Sequence, residues 1–123
     1  MSRTANEGVA TMQSISLNDL GQEQLSIARA ASAGRSAKTV HGAHELDLRQ
    51  TVIALVAGQA LAEHDSPDEA TLQVLVGRVR LGAGEETWEG GVGEFLIIPR
   101  QRHDLTALED SVILLSVATG THS

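Results

Sequence analysis

The chain has 123 residues, enough for a single domain with one hydrophobic core. It contains no cysteine, which excludes disulfides, thiolate nucleophiles and cysteine-based zinc sites. Its formal net charge is -7, and the sequence contains no block of lysine or arginine residues. Nucleic acid is therefore not expected as a partner. Aromatic residues make up only 2% of the chain, so the core must be built from aliphatic side chains.

The N-terminal part of the chain carries no targeting signal that we can identify. No apolar run approaches the ~20 residues needed to span a bilayer, and residues 1–8 lack the apolar centre of a secretion signal. We therefore expect a cytoplasmic protein without a membrane partner. Residues 1–14 are mostly small and polar and are expected to form a flexible arm, followed by a helical segment at 15–36 and a β domain at 37–119.

The helical segment has a clear start. Ser16 is a favourable N-cap, and Asp19 lies in the first turn, where it suits the helix dipole. Apolar residues then recur on one stripe, which predicts a helix over 17–33 that ends before Gly34. Because this stripe is narrow and is interrupted by Gln24, we expect the helix to lie on a neighbour, either its own sheet or a second subunit.

Beyond residue 34, short runs rich in β-branched and aliphatic residues alternate with glycine-containing turns. The predicted strands cover residues 38–41, 49–57, 61–64, 71–81, 87–89, 95–98, 102–108 and 112–117. Turns are predicted at residues 42–45, 82–86, 90–91 and 109–110. This spacing predicts a mainly β fold, a sandwich or closed barrel, with one N-terminal helix. The unbroken apolar run at 95–98 is typical of a buried strand.

Two separated segments resemble the two sequence motifs of the cupin superfamily. In the first, five residues lie between Gly58 and His64. In the second, five residues lie between Gly93 and Pro99, and His103 follows. The two motifs occur in the order in which the family has them.

This resemblance, which extends over about residues 48–117, implies a small single-domain barrel of the RmlC-like type. The implied fold is a double-stranded β-helix (jelly-roll) barrel, usually dimeric, with a pocket at its mouth. In the family that pocket often holds a divalent metal, here expected to be zinc, iron, manganese or nickel, on three histidines and a glutamate.

The chain departs from the family's ligand pattern at several positions. The family's second histidine corresponds to Ser66 and its glutamate to Ala70. Its last histidine corresponds to Asp104, with His103 one residue early. Of the four implied ligands, only His64 aligns directly.

His64 and His103 are therefore the candidate residues for binding a small molecule or a metal. Gln73 joins them if the odd-numbered residues of the strand at 71–81 face inward throughout. A bulge at Gly77 would reverse this pattern and turn Gln73 outward. We favour the inward orientation, because arginines at positions 78 and 80 would otherwise need partners inside a barrel.

A third metal ligand could come from Glu69 or His44 if a metal is bound, since metal sites use about three protein ligands. Three functions stay open. The first is binding of a metal or an anionic small molecule in a mainly aliphatic pocket. The second is a metal-dependent dioxygenase, isomerase or lyase acting on a small organic molecule. The third is a structural dimer whose pocket is filled by its own side chains.

A homodimer is expected under each of these functions, because a small barrel commonly covers a sheet edge or face by self-association. The candidate contacts are the helix at 17–33 and the strand at 49–57.

Overall fold

The structure is a computed structural model that describes residues 12–42, 47–64 and 69–118. Within these ranges one helix precedes nine β-strands. The helix is α1 (Leu17–Ala30), and the strands are β1 (Arg35–His41), β2 (Leu48–Leu55), β3 (Ala60–His64), β4 (Glu69–Val76), β5 (Arg78–Ala83), β6 (Glu86–Gly91), β7 (Phe95–Ile98), β8 (His103–Ala107) and β9 (Ser111–Ala118). The described helix is too short and too polar to cross a membrane.

The strands form two antiparallel sheets that enclose one core. The five-stranded sheet has the order β1-β2-β9-β4-β7, and the four-stranded sheet has the order β3-β8-β5-β6. The buried core between them is entirely aliphatic, as the scarcity of aromatic residues predicts. Its largest fully buried members are Leu55, Leu72, Val74, Val79 and Ile113. The predicted mainly β fold with one N-terminal helix is confirmed.

Helix α1 begins where the sequence predicts and ends earlier. Ser16 is the N-cap, and its Oγ accepts a hydrogen bond from the Asp19 N–H at 3.1 Å. The helix ends at Ala30 rather than at residue 33, because Ala31 already has extended backbone angles. The chain then turns at Gly34, which has φ +68°. The Gly34 N–H donates to the Ala31 carbonyl at 3.0 Å. This turn delivers the chain directly into β1.

The neighbour of α1 is its own sheet. Leu25 and Ala28 pack with Val52 and Val112 on the outer face of the five-stranded sheet. Gln24, which interrupts the apolar stripe, is buried beneath the helix, where its side-chain oxygen accepts a hydrogen bond from Ser36 Oγ at 2.8 Å. The apolar stripe of α1 and the outer face of β2 therefore cover each other within the chain.

The predicted strand at 71–81 is two strands that belong to different sheets. Gly77, with φ +81°, connects them, and the inward-facing parity changes there. The inward residues are Ala70, Leu72 and Val74 in β4, and Val79, Leu81 and Ala83 in β5. The inward orientation that we favoured for Gln73 is therefore wrong: Gln73 is exposed, on the opposite side of β4. Arg78 and Arg80 also lie outside, where both form ion pairs with Glu89.

Two further expectations need correction near β7. Residues 90–91, predicted as a turn, are the end of β6, and the turn lies at residues 92–93, where Gly93 has φ +88°. The apolar run at 95–98 is buried on one side only, because no described element covers the outer face of β7, the last strand of the described five-stranded sheet. Phe95 is 60% exposed and Ile97 is 72% exposed.

The bend at residues 108–110, which includes the predicted turn, ties the helix to the sheets. Asp110 Oδ1 accepts the Ala57 N–H at 2.8 Å, and Oδ2 accepts Arg29 Nε at 3.0 Å. The hydrogen bond from Ala57, followed by that from Arg29, holds the pKa of the Asp110 carboxyl below its usual value. Next to it, the buried Ser111 Oγ accepts the Arg78 N–H at 3.0 Å and lies within hydrogen-bond distance of two carbonyl oxygens.

Candidate functional site

His103 is the first residue of β8 and faces the inside of the barrel. It is only 5% exposed, and it shares the buried side of β8 with Leu105 and Ala107. The intervening Asp104 is exposed on the other side, as the two-residue period of a strand requires. The alternation of this short strand therefore places one imidazole against the aliphatic core.

The main chain just before β8 orients this ring. His103 Nδ1 lies 3.0 Å from the carbonyl oxygen of Gln101. A proton on Nδ1 satisfies this contact, and the lone pair of the neutral ring is then on Nε2. Such a carbonyl partner commonly selects the tautomer of a histidine that binds a ligand or metal. The sequence did not reveal this role of Gln101, because it uses the backbone oxygen and not the side chain.

The backbone of β3 brings position 64 directly opposite His103. The two strands are antiparallel, with Leu61 opposite Leu105 and His64 opposite His103. Three residue steps on β3 match two on β8, so β3 has one extra residue between these pairs. Without that extra residue, the backbone partner of His103 would be Glu63 and not His64. Two histidines distant in sequence thus occupy paired backbone positions on neighbouring strands.

The other candidate ligands do not join this pair within the described residues. Gln73 lies on the outer face of the five-stranded sheet, and Glu69 is exposed at the start of β4. His44 and Ser66 lie outside the described residues. Ala70, where the resemblance implies a glutamate, does face the core, but it offers only a methyl group.

The described part of the chain does not assemble a three-ligand metal centre. No group of three or more histidine, cysteine, aspartate or glutamate side chains lies close enough there to hold a metal ion. His41 is exposed on β1. The pair of positions 64 and 103 is therefore the candidate site.

Comparison with known proteins gives a structural match only. No protein-family profile matches the sequence, and no curated protein matches it. Among solved structures, a conserved protein of unknown function from Streptococcus pyogenes is 27% identical, with a TM-score of 0.67 over 75% of this chain and 80% of that one.

Two solved structures that are named as cupins also match. A cupin superfamily protein from Desulfitobacterium hafniense has a TM-score of 0.65 at 9% identity, covering 70% of this chain and 78% of its own. An RmlC-like cupin from Desulfovibrio desulfuricans has a TM-score of 0.60 at 22% identity, covering 69% and 82%. At these identities the matches show the fold, and they agree with the two-sheet topology described above. The chain is therefore a small domain with the cupin fold, a jelly-roll β-barrel with one helix packed on its outer face.

Proposed function

We propose that this barrel binds a small anionic organic molecule between the imidazoles of His64 and His103. One observation carries the proposal: β3 and β8 pair so that these two positions are directly opposite, and His103 is buried on the inner side of its strand. Opposed positions of an antiparallel pair have their Cβ atoms about 4.5–5.5 Å apart, so two side chains there can contact one ligand.

The chemistry of the surroundings indicates the ligand class. With both ring nitrogens protonated, His103 can donate from Nε2 to a carboxylate or a similar oxyanion while Nδ1 donates to the Gln101 carbonyl. The inner faces of β4, β7 and β9 are aliphatic, with Ala70, Ile98 and Val117 among them. A small carboxylic acid with an aliphatic body matches both features.

The metal-binding alternative receives less support from the donor set. A bound metal needs about three protein ligands, and the candidate His44 lies outside the described residues. Gln73 and Glu69 are exposed on β4, which removes the two candidates on that strand. A metal-dependent dioxygenase, isomerase or lyase would depend on such a centre, so we derive no catalytic step through a metal.

The proposal is tested by thermal unfolding of untagged protein against a panel of small mono- and dicarboxylic acids, with Zn²⁺, Fe²⁺, Mn²⁺ and Ni²⁺ as a separate arm. A ligand present at 100 times its Kd stabilises the fold by about 2.7 kcal/mol. For a domain of this size that corresponds to an increase in Tm of roughly 10 °C. His64→Ala should abolish the increase while the protein stays folded. His103→Gln should also abolish it, and the exposed control His41→Ala should keep it.

The outcomes separate the three functions. Stabilisation by an acid that persists in both site variants would contradict the proposal, and so would silence of the native protein across the acid panel. Stabilisation by a metal alone, lost in His64→Ala, would favour the metal site in its place. Silence in both arms, together with unfolding of His64→Ala, would indicate a structural histidine in a barrel filled by its own side chains.

A further inference from the structure

Arg49 lies on the inner face of the five-stranded sheet. Ile53 and Leu55 of the same strand, β2, pack in the core between the two sheets. Val52 and Ala54, which alternate with them, pack in the cluster beneath helix α1. The pairing of β2 with β9 has no register shift along the strand, so the alternation of side chains is unbroken. Arg49 therefore projects to the same side of the sheet as Ile53.

Arg49 begins a row of four inward-facing residues that crosses the sheet from β2 to β7. Its backbone partner on β9 is Val117. Val117 pairs in turn with Ala70 on β4, and Ala70 pairs with Ile98 on β7. These three side chains are aliphatic and lie in or against the core. Arg49 is the one charged member of the row, and it is exposed to solvent at one end of the sheet.

This row lies at the same end of the barrel as His103. Strand β7 ends at Ile98, and β8 begins with His103 after a connection of four residues. Packed sheets face each other at a distance of about 10 Å, so Arg49 approaches the mouth from one sheet and His103 from the other. Gly42 leaves room for the arginine stem, because a Cβ built at Gly42 would lie 3.2 Å from Arg49 Cα and 3.3 Å from its Cγ.

The charge at this position favours an anion over a cation. Among the described residues no carboxylate forms an ion pair with Arg49, and the ion pairs found there involve three other arginines. Glu86 lies on β6, which β5 separates from the strand of His103. Because the chain has a formal net charge of -7, most of its surface repels an anion, and a local cation decides where an anion can bind.

We propose that Arg49 binds the second carboxylate of a short dicarboxylic acid whose first carboxylate lies at the histidine pair. Arg49 thereby narrows the ligand class of the proposed function, on which this assignment rests. A guanidinium can hold a carboxylate through two parallel N–H···O hydrogen bonds. The aliphatic residues of the same row, Ala70, Ile98 and Val117, offer contacts to the carbon chain of the acid. The site then selects dicarboxylic over monocarboxylic acids.

Isothermal titration calorimetry with acids of equal chain length tests this selection, with succinate against butyrate and glutarate against pentanoate. The native chain should bind each diacid about 10- to 100-fold more tightly than the matching monoacid, as expected for a charged hydrogen-bonded pair. Arg49→Gln should remove this difference by weakening the diacid alone. Lys38→Gln is the matched control, because Lys38 is exposed on the neighbouring strand and lies opposite Val52, on the outer face. The control should keep the full preference for diacids.

The outcomes distinguish the role of Arg49 from that of the histidine pair. Equal affinities of the native chain for diacid and monoacid would overturn the assignment of Arg49, and so would equal losses of both in Arg49→Gln. If His103→Gln still abolishes binding in those cases, the proposed function stands without Arg49. A diacid preference that is lost in Arg49→Gln but kept in His103→Gln would support the arginine contact and contradict the histidine pair. No binding of any acid by the native chain would overturn both proposals. Circular dichroism of each variant checks that the fold is retained, which the exposure of Arg49 and Lys38 leads us to expect.

Discussion

Gly77 is the point at which the chain leaves one sheet and enters the other, so Gly77→Ala tests the central feature of the fold. The residue has φ +81°, in the region that glycine favours. A Cβ built there would overlap the Asp110 carbonyl oxygen and the Ser111 hydroxyl, and it would lie 2.9 Å from Ser111 Cα. The backbone of the facing bend must therefore move to admit a methyl group.

Two costs add at this position. The left-handed conformation costs a residue with a Cβ about 1–2 kcal/mol. Forcing a methyl group into a packed contact costs about 1–3 kcal/mol more. We therefore expect Gly77→Ala to lower the free energy of unfolding by about 2–5 kcal/mol, a large fraction of the 5–15 kcal/mol typical of a domain. Gly58 is the matched control, because it has φ +88° and nothing lies within 4 Å of its built Cβ.

Urea unfolding followed by the fluorescence of Trp88 measures the difference. Trp88 is the only tryptophan and packs against the main core, so its emission reports on that core. Gly58→Ala should show the conformational cost alone, and Gly77→Ala should unfold with a midpoint lower by roughly 1 M urea than the control. Equal midpoints for the two variants would refute the close contact at Gly77.

Three further changes probe contacts of named side chains. Ser111→Ala should lower the free energy of unfolding by about 1–3 kcal/mol, because it removes the partner of the partly buried Arg78 N–H. The exposed Ser26→Ala should change it by less than about 0.5 kcal/mol. The pKa of Asp110 is lowered by folding, so its stabilising effect is present above the unfolded pKa and is lost as the pH falls through the folded one. In acid titration below about pH 4, the native chain should therefore lose stability more steeply than Asp110→Asn; parallel curves would contradict this. Gly90→Ala should displace the Trp88 ring that lies over it and shift the emission to longer wavelength, so an unchanged spectrum would count against that contact.

Local sequence patterns were sufficient to predict most of the described helix and strands of this protein. Ser16 and its stripe of apolar residues located the start of the helix, and the glycine-separated aliphatic runs located the strands to within a few residues. The scarcity of aromatic residues correctly predicted an aliphatic core. These features depend on residues that are close in sequence, so they can be predicted from the sequence alone. The helix ends at Ala30, earlier than predicted, because residues 31–34 form the turn that leads into β1.

The side chains that face the interior were decided only by the tertiary structure. In a strand the side-chain period is two, so one extra or left-handed residue exchanges the inner and outer faces. The change of sheet at Gly77 moved Gln73 to the outside, and the extra residue in β3 set His64, and not Glu63, opposite His103. Likewise, four consecutive apolar residues could not reveal that β7 is the last strand of the described five-stranded sheet, because long-range pairing decides the order of the strands. Sequence determined where strands form, and long-range pairing determined which of their faces became the core, the site and the open surface.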